Sequence, residues 1–449
     1  MLNAGDLTHL QPSLIFAPHA LENTGALIAA VSGGSDSLAL LFLLHDYLTG
    51  LDNPPRLLAV TVDHRLRPES TAEAENVGRL CQRFGIEHQI LSWTDPKPAH
   101  GIAAAAREAR YRLLLKAARE AHAACILTGH TRNDQIETYL MRKARSQGAA
   151  SRGLAAMADN VTLEGTVQLL RPFLGITREA LRVYLRARDI PWVDDPSNVN
   201  IAYERPRIRL NADKEQEERI LAEIAAATAA RKRDNDRLTA ALADPASLWR
   251  DAAHQLHVDA AIFASLPESV QSLFAGLVTA LAGGRRFMPG EAERSRIAHF
   301  LTTANTVARM TQGGALITRA GKNKTHIFRR EQRNLPMDEL APHATIIWDG
   351  RYRLHNEGTA TVTIAPADSC SLAAFLERKG IAADAALRRA LCVAPVIYHD
   401  GAPCAFPLLE REESPSHIRI SNHYALFDHV LSGHDSGLAE AVRLRLEHK

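Results

Sequence analysis

Between residues 25 and 145 short apolar runs alternate with longer stretches in which apolar positions recur every three or four residues. The runs are the mark of buried strands and the longer stretches of helices with one buried face. The pattern predicts strands at Ala26–Val31, Leu57–Val62, His88–Leu91 and Cys125–Thr128. Helices are predicted at Ser37–Thr49, at Thr71–Phe84, from Ile102 to about His122 and from Asn133 to about Ala144. Such alternation implies a parallel sheet with helices on both faces, whose ligands lie outside the carboxyl ends of the strands.

Beyond this region the pattern loosens. Ser146–Gly165, rich in Gly, Ala and Ser, reads as a loop reaching over a site. A helix Thr177–Arg188 follows, with Thr177 as N-cap and Glu179 in its first turn. Asp194-Asp195-Pro196-Ser197-Asn198 reads as a turn. One long Ala- and charge-rich helix is expected from Lys214 to about Leu242. The next stretch is α-rich, then shows short strands at Ala315–Thr318 and His326–Arg329, and Asn334-Leu335-Pro336 punctuates a boundary. From about His343 the start is β-like (Thr345–Trp348, Thr359–Ile364), with a helix or two after it. The expected organisation is an α/β catalytic domain at 1–213, an α-rich middle domain at 214–335 and a small α+β C-terminal domain at 343–449.

Length agrees, since 449 residues exceed one ordinary core. An apolar fraction of 46% is that of a globular protein, and 23% charged residues do not suggest disorder. Lys and Arg number 53 against 51 Asp and Glu, a net charge of +2, so any nucleic-acid partner must be held by local basic patches. The five cysteines, Cys81, Cys125, Cys370, Cys392 and Cys404, form no CxxC pair. That argues against structural zinc or an iron–sulfur cluster and for a reducing compartment. Met1–Asn23 lacks a basic stretch followed by an apolar core, and the longest apolar run, Leu38–Leu44, is too short for a bilayer. A cytoplasmic protein with no membrane partner is expected.

The strongest chemical signal is Ser32-Gly33-Gly34-Ser35-Asp36-Ser37, between the first strand and the first helix of the alternating region. Glycines permit close backbone approach, and the helix start presents free N–H groups and a positive dipole end to an anion. Ser32, Ser35 and Ser37 add hydroxyl donors. Asp36 would repel phosphates unless Mg²⁺ lies between them, which makes it the candidate metal ligand. A plain capped turn is the bland alternative, outweighed by five specified positions in a strand–loop–helix context. The lysine of GxxxxGK[ST] is missing.

Ser-Gly-Gly-x-Asp-Ser instead resembles the PP-loop of the N-type ATP pyrophosphatases, which implies cleavage of ATP to AMP and pyrophosphate. Further segments narrow the resemblance: Val62-Asp63-His64-Arg65 through Ser70, Arg107-Glu108-Ala109-Arg110-Tyr111, Thr128-Gly129-His130 through Thr138, Leu170-Arg171-Pro172-Phe173, Trp192 through Asn198, and Tyr203 through Arg209. In this order they are similar to the tRNA(Ile)-lysidine synthetase family, densely over residues 25–210. The likeness recurs weakly at Leu387-Arg388-Arg389 and Pro395 through Gly401, in what resembles that family's tRNA-contacting last domain.

The resemblance implies that a wobble cytidine in a CAU-anticodon isoleucine tRNA is adenylylated by ATP, and that the ε-amine of free L-lysine then displaces AMP. Presenting a neutral amine at pH 7 costs about 4–5 kcal/mol, so a carboxylate within reach of it is required. Asp134 is the candidate to hold and deprotonate it, with Glu137 one turn on; a first-turn acid satisfying N–H groups is the bland alternative. His130 and Glu137 join the substrate site by resemblance. Asp63 is open between touching ATP and capping a turn. Arg110 is assigned a catalytic place against carboxylate or phosphate, with a plain surface arginine as the equal alternative. Arg205, Arg207 and Arg209 form a basic strip for the tRNA backbone, and the middle domain is expected to bind tRNA as well. The oligomeric state is open to a homodimer.

The chain departs from the family where His-His-x-Asp-Asp-Gln appears as His130-Thr131-Arg132-Asn133-Asp134-Gln135, and Pro206 stands where Asn is common. Thr131 cannot act as a base. Three rivals are a base-thiolating PP-loop enzyme, an amidotransferase relative and a non-catalytic RNA-binding protein that keeps ATP. The first needs reactive cysteines and the second a glutaminase nucleophile, and neither stands out.

Overall fold

In the computed structural model the described residues are 10–145, 152–194, 214–303, 308–321, 324–399, 401–409, 417–431 and 433–447. Contacts divide the chain into two compact units, Met1–Arg231 and Lys232–Lys449.

The first unit is built on six strands: β1 (Ala26–Ala30), β2 (Arg56–Asp63), β3 (Glu87–Ser92), β4 (Cys125–Thr128), β5 (Asn160–Leu163) and β6 (Val167–Leu170). Their order is β3-β2-β1-β4-β6-β5. Strand β1 pairs in parallel with β2 on one side and β4 on the other. The chain therefore steps outward from β1 to β3, then crosses back to β4, and this reversal leaves a crevice at the carboxyl ends of β1 and β4.

The helices are α1 (Pro12–Phe16), α2 (Ser35–Thr49), α3 (Ser70–Arg83), α4 (Ile102–Glu120), α5 (Arg132–Arg145), α6 (Arg178–Arg186) and α7 (Lys214–Leu242). Strand alternation sends Leu27 and Ala29 of β1 into a core with Leu41 of α2, Val77 of α3 and Leu181 of α6. Ile28 faces the other way, onto Leu114 and Ala118 of α4. Both faces are thus covered, as a near-continuous apolar strand requires. Leu38–Leu44 of α2 is buried throughout, which explains why its apolar residues show no single stripe.

The expected loop at Ser146–Gly165 is a correction. Residues 146–151 lie outside the described ones, but Asn160–Leu163 is a strand, antiparallel to β6. The reversal uses Glu164 and Gly165 at φ 45° and 73°, closed by the Thr166 N–H donating to the Leu163 carbonyl at 3.0 Å. Two residues with φ > 0 make a tight hairpin turn, and strands of four residues are too short to announce themselves by alternation.

In the second unit, helices Glu268–Gly283 and Glu291–Thr302 pack on a five-stranded antiparallel sheet around Phe274, Leu277 and Phe328. The helical middle region thus carries a sheet of its own. Farther along, a four-stranded and a three-stranded sheet enclose Trp348, Leu354 and Ile397. The last helix, Ser436–Glu447, returns Leu438 and Val442 to the core around Phe274. No helix among the described residues is long and apolar enough to cross a membrane.

Phe173 is fully buried, with its ring centroid 6.4 Å from that of Phe16 and the two rings tilted by 49°. Phe173→Ala is expected to destabilise the first unit by about 3–5 kcal/mol, read as an earlier transition in denaturant unfolding followed by fluorescence.

Candidate active site

Three segments converge on the crevice: the loop after β1, the loop after β4, and the start of α6. Gly33 takes φ +82°, and a Cβ there would lie 3.2 Å from Val77 Cγ2. Gly34 is the N-cap of α2 and supplies no side chain to the first-turn N–H groups, leaving them for an anion. Ser37 staples the loop: its Oγ accepts from the Ser32 N–H at 3.1 Å and donates to the Gly34 carbonyl at 3.0 Å. The Val193 N–H also donates to the Gly33 carbonyl at 3.0 Å, strapping the segment after α6 to the loop.

The loop after β4 touches this structure backbone to backbone. A Cβ on Gly129 would lie 2.6 Å from the Asp36 carbonyl oxygen, so only glycine fits. Asp134, in the first turn of α5, receives both the N–H and the hydroxyl of Thr131 on Oδ2 at 2.8 Å. Its Oδ1 faces Arg178, whose Nη2 lies at 3.3 Å while its Nε donates to Asp36 Oδ2 at 2.8 Å. One guanidinium therefore bridges the two carboxylates. The Arg178 backbone N–H donates to Asn133 Oδ1 at 3.0 Å. The two residues that break the family motif thus aim the site: Thr131 orients Asp134, and Asn133 anchors Arg178.

Electrostatics follow from this geometry. Burial pushes the Asp36 carboxyl above its ordinary range, opposed in part by Arg178. Burial acts the same way on Asp134, but Thr131 and Arg178 overcome it and hold this carboxyl below the usual range. Glu137 is buried one turn along α5 and adds to the negative field that holds Arg178 charged. His130 bonds Thr128 through Nδ1 at 2.9 Å and is pushed down to about 3, by burial first and by Arg171 next. It is a neutral imidazole at pH 7.

The other expected site residues sit differently. The Asp63 side chain is wholly buried and accepts from the Arg65 N–H, Ser70 and Thr71 at 2.7–2.9 Å. These bonds favour the capping reading over contact with ATP. Arg110 is exposed on α4, 3.4 Å from Nε2 of His64, and its charge is felt at His130. Burial and then Arg110 push His64 down to about 4. Arg205, Arg207 and Arg209 lie outside the described residues. Among the described residues no group of three or more His, Cys, Asp or Glu side chains could hold a metal. Asp36 offers one hard oxygen, which suits a Mg²⁺ that takes its remaining ligands from phosphates and water.

Arg178 escaped the sequence reading, and Arg171 entered it only within the segment Leu170–Phe173, with no role of its own. Arg178 had a signal: a cation in the first helical position opposes the helix dipole, and such local violations mark functional sites. Arg171 is buried and donates to the Ala158 carbonyl at 2.6 Å, beneath the segment after α5. No local pattern announces a buried arginine of this kind.

A glycine loop at the end of a central parallel strand, with an acidic first turn and no Walker lysine, defines the PP-loop class, and the PP-loop domain family matches residues 8–215. The tRNA(Ile)-lysidine synthases of Brucella canis, Brucella suis biovar 1 and Brucella ovis are each 53% identical over 438 residues, 97% of this chain and 98% of each relative. The chain belongs to the tRNA(Ile)-lysidine synthase family. Among solved structures it is similar to the U34-tRNA thiolase NcsA from Methanococcus maripaludis with its [4Fe-4S] cluster, at TM-score 0.41 and 17% identity over 50% of this chain and 76% of that one.

Gly129→Ala is expected to weaken ATP binding by about 10²-fold, measured calorimetrically, with the fold kept, because it parts the two loops. His64 and His130, held neutral, make the fold acid-sensitive. Their folded values lie below the unfolded 6.5, so their contribution is complete above that pH and is lost as pH falls through it. His64→Gln is expected to flatten the stability profile between pH 6.5 and about 4 by up to one proton, checked by denaturant unfolding across pH.

Proposed function

We propose that this ATP-dependent ligase joins the ε-amine of L-lysine to the wobble cytidine of a CAU-anticodon isoleucine tRNA. The observation that carries the reading is the pair Asp36 and Asp134, converging on one cation at the uncapped start of α2. In the first step the cytidine carbonyl oxygen attacks the α-phosphorus of ATP, and the bond to pyrophosphate breaks. In the second, the lysine nitrogen attacks the ring carbon that bears this oxygen, and AMP leaves with it.

The first-turn N–H groups of α2, with Ser35, hold phosphate oxygens. Asp36 would hold Mg²⁺ arriving with ATP, and the ion would offset phosphate charge. Neutral His130 adds no charge of its own beside the phosphates and offers a ring nitrogen for a hydrogen bond. Asp134, held low, binds the lysine ammonium well but accepts its proton poorly while Arg178 touches it, so orientation is its main task in this state. The exposed Arg110 remains placed to meet a carboxylate or phosphate from solvent. We assign Arg205, Arg207 and Arg209, and the region beyond residue 213, to the tRNA. The cytoplasm suits an enzyme whose substrates are ATP, lysine and tRNA.

Base thiolation fits less well. The two thiols of the catalytic unit, Cys81 and Cys125, are buried and pushed up to about 11 and about 12, far from nucleophilic at pH 7.

Incubated with isoleucine tRNA, ATP and labelled lysine, the protein is expected to incorporate label and release AMP and pyrophosphate. Sulfur-dependent modification, or no label, would overturn the reading. Asp134→Asn is expected to cut lysine transfer by about 10²–10⁴-fold, while pyrophosphate release persists in a lysine-free assay.

A further inference from the structure

The bridge between Asp36 and Asp134 is more specific than charge balance requires. Asp134 Oδ2 is committed twice to Thr131, which leaves Oδ1 to meet a ligand, and Oδ1 faces Arg178. Asp36 is likewise divided, with Oδ1 on the Ser35 hydroxyl at 3.0 Å and Oδ2 on Arg178. The oxygens that would meet substrate cations are thus the ones Arg178 holds.

Arg178 is also built to let go. Its backbone is pinned by Asn133 and by the Thr177 cap, which accepts the Ala180 N–H at 3.3 Å. Motion is left to the side chain, which is 20% exposed. Its place in the first turn of α6 sets the helix dipole against the charge, weakening its hold relative to a free cation.

We propose that Arg178 is a resident stand-in cation, which neutralises Asp36 and Asp134 before substrates bind and is displaced from Asp134 by the lysine ammonium. The proposal rests on the reading of lysine as substrate. Without Arg178 the two carboxylates would face each other uncompensated in a half-buried site, a costly state that an incoming ammonium relieves. Lysine binding is thereby tied to movement of the arginine. Binding of lysine in the absence of the other substrates is held down by the same competition.

Calorimetric titration of the full-length protein with lysine, with and without a non-hydrolysable ATP analogue, tests this. Norleucine, which lacks only the side-chain amine, is the control. Arg178→Met is expected to bind lysine roughly tenfold tighter than the unaltered protein, the scale of one charge-assisted hydrogen bond, with norleucine changed less than about twofold. Arg178→Lys, too short to bridge both carboxylates, is expected to fall between and guards against misfolding of the first variant. Unchanged lysine affinity in both variants overturns the inference. So does a parallel loss for lysine and norleucine, which marks a merely structural arginine. Failure of the unaltered protein to bind lysine in either arm overturns the functional reading, and the inference with it.

Discussion

The loops leaving β1 and β4 meet backbone to backbone, with no space for a side chain at Gly129. That contact sets where α2 and α5 begin relative to one another, and so where Asp36 and Asp134 stand. The strand order makes it unavoidable, because β1 and β4 are neighbours at the point where the chain reverses direction across the sheet. Everything chemical in the unit follows from two helix starts brought this close. One leaves its first N–H groups without a side-chain cap, and the other presents a carboxylate already aimed by Thr131.

Such closeness creates an electrostatic problem. Two carboxylates in a half-buried crevice repel each other, and burial alone would favour protonating both. Arg178 resolves it by serving both at once, and Glu137 reinforces the field that keeps the arginine charged. The histidines take the opposite course: His64 and His130 shed their protons, because burial and neighbouring arginines disfavour a further positive charge. The crevice thus holds a single guanidinium shared by two carboxylates. The two thiols of the same unit, Cys81 and Cys125, are held protonated by burial.

Much of this was legible along the chain. Four strands and four helices of the alternating region lie within a few residues of where hydrophobic periodicity puts them, since a buried parallel strand and its covering helix leave strong patterns. The hairpin β5–β6 left none, because strands of four residues joined by a three-residue connection offer too few positions to alternate. The sheet of the middle region was half-hidden for the same reason: its strands are three to six residues long. The unit boundary falls inside α7, which composition cannot mark, because one helix supplies Ile220 to one core and Leu238 to another.

By itself the sequence determined the phosphate loop, its sheet and its family, since glycines, hydroxyls and one acid at fixed spacing are local properties of a strand–loop–helix turn. It also marked Asp134 as the residue to watch. Tertiary structure alone showed that Asp63 accepts from Arg65, Ser70 and Thr71, that Thr131 and Asn133 are aiming devices despite breaking the family motif, and that Arg178 joins the two carboxylates. The bonds of Asp63 and Thr131 are local but depend on the exact turn geometry, whereas those of Arg178 join residues as many as 142 positions apart, where distance in space bears no relation to distance along the chain.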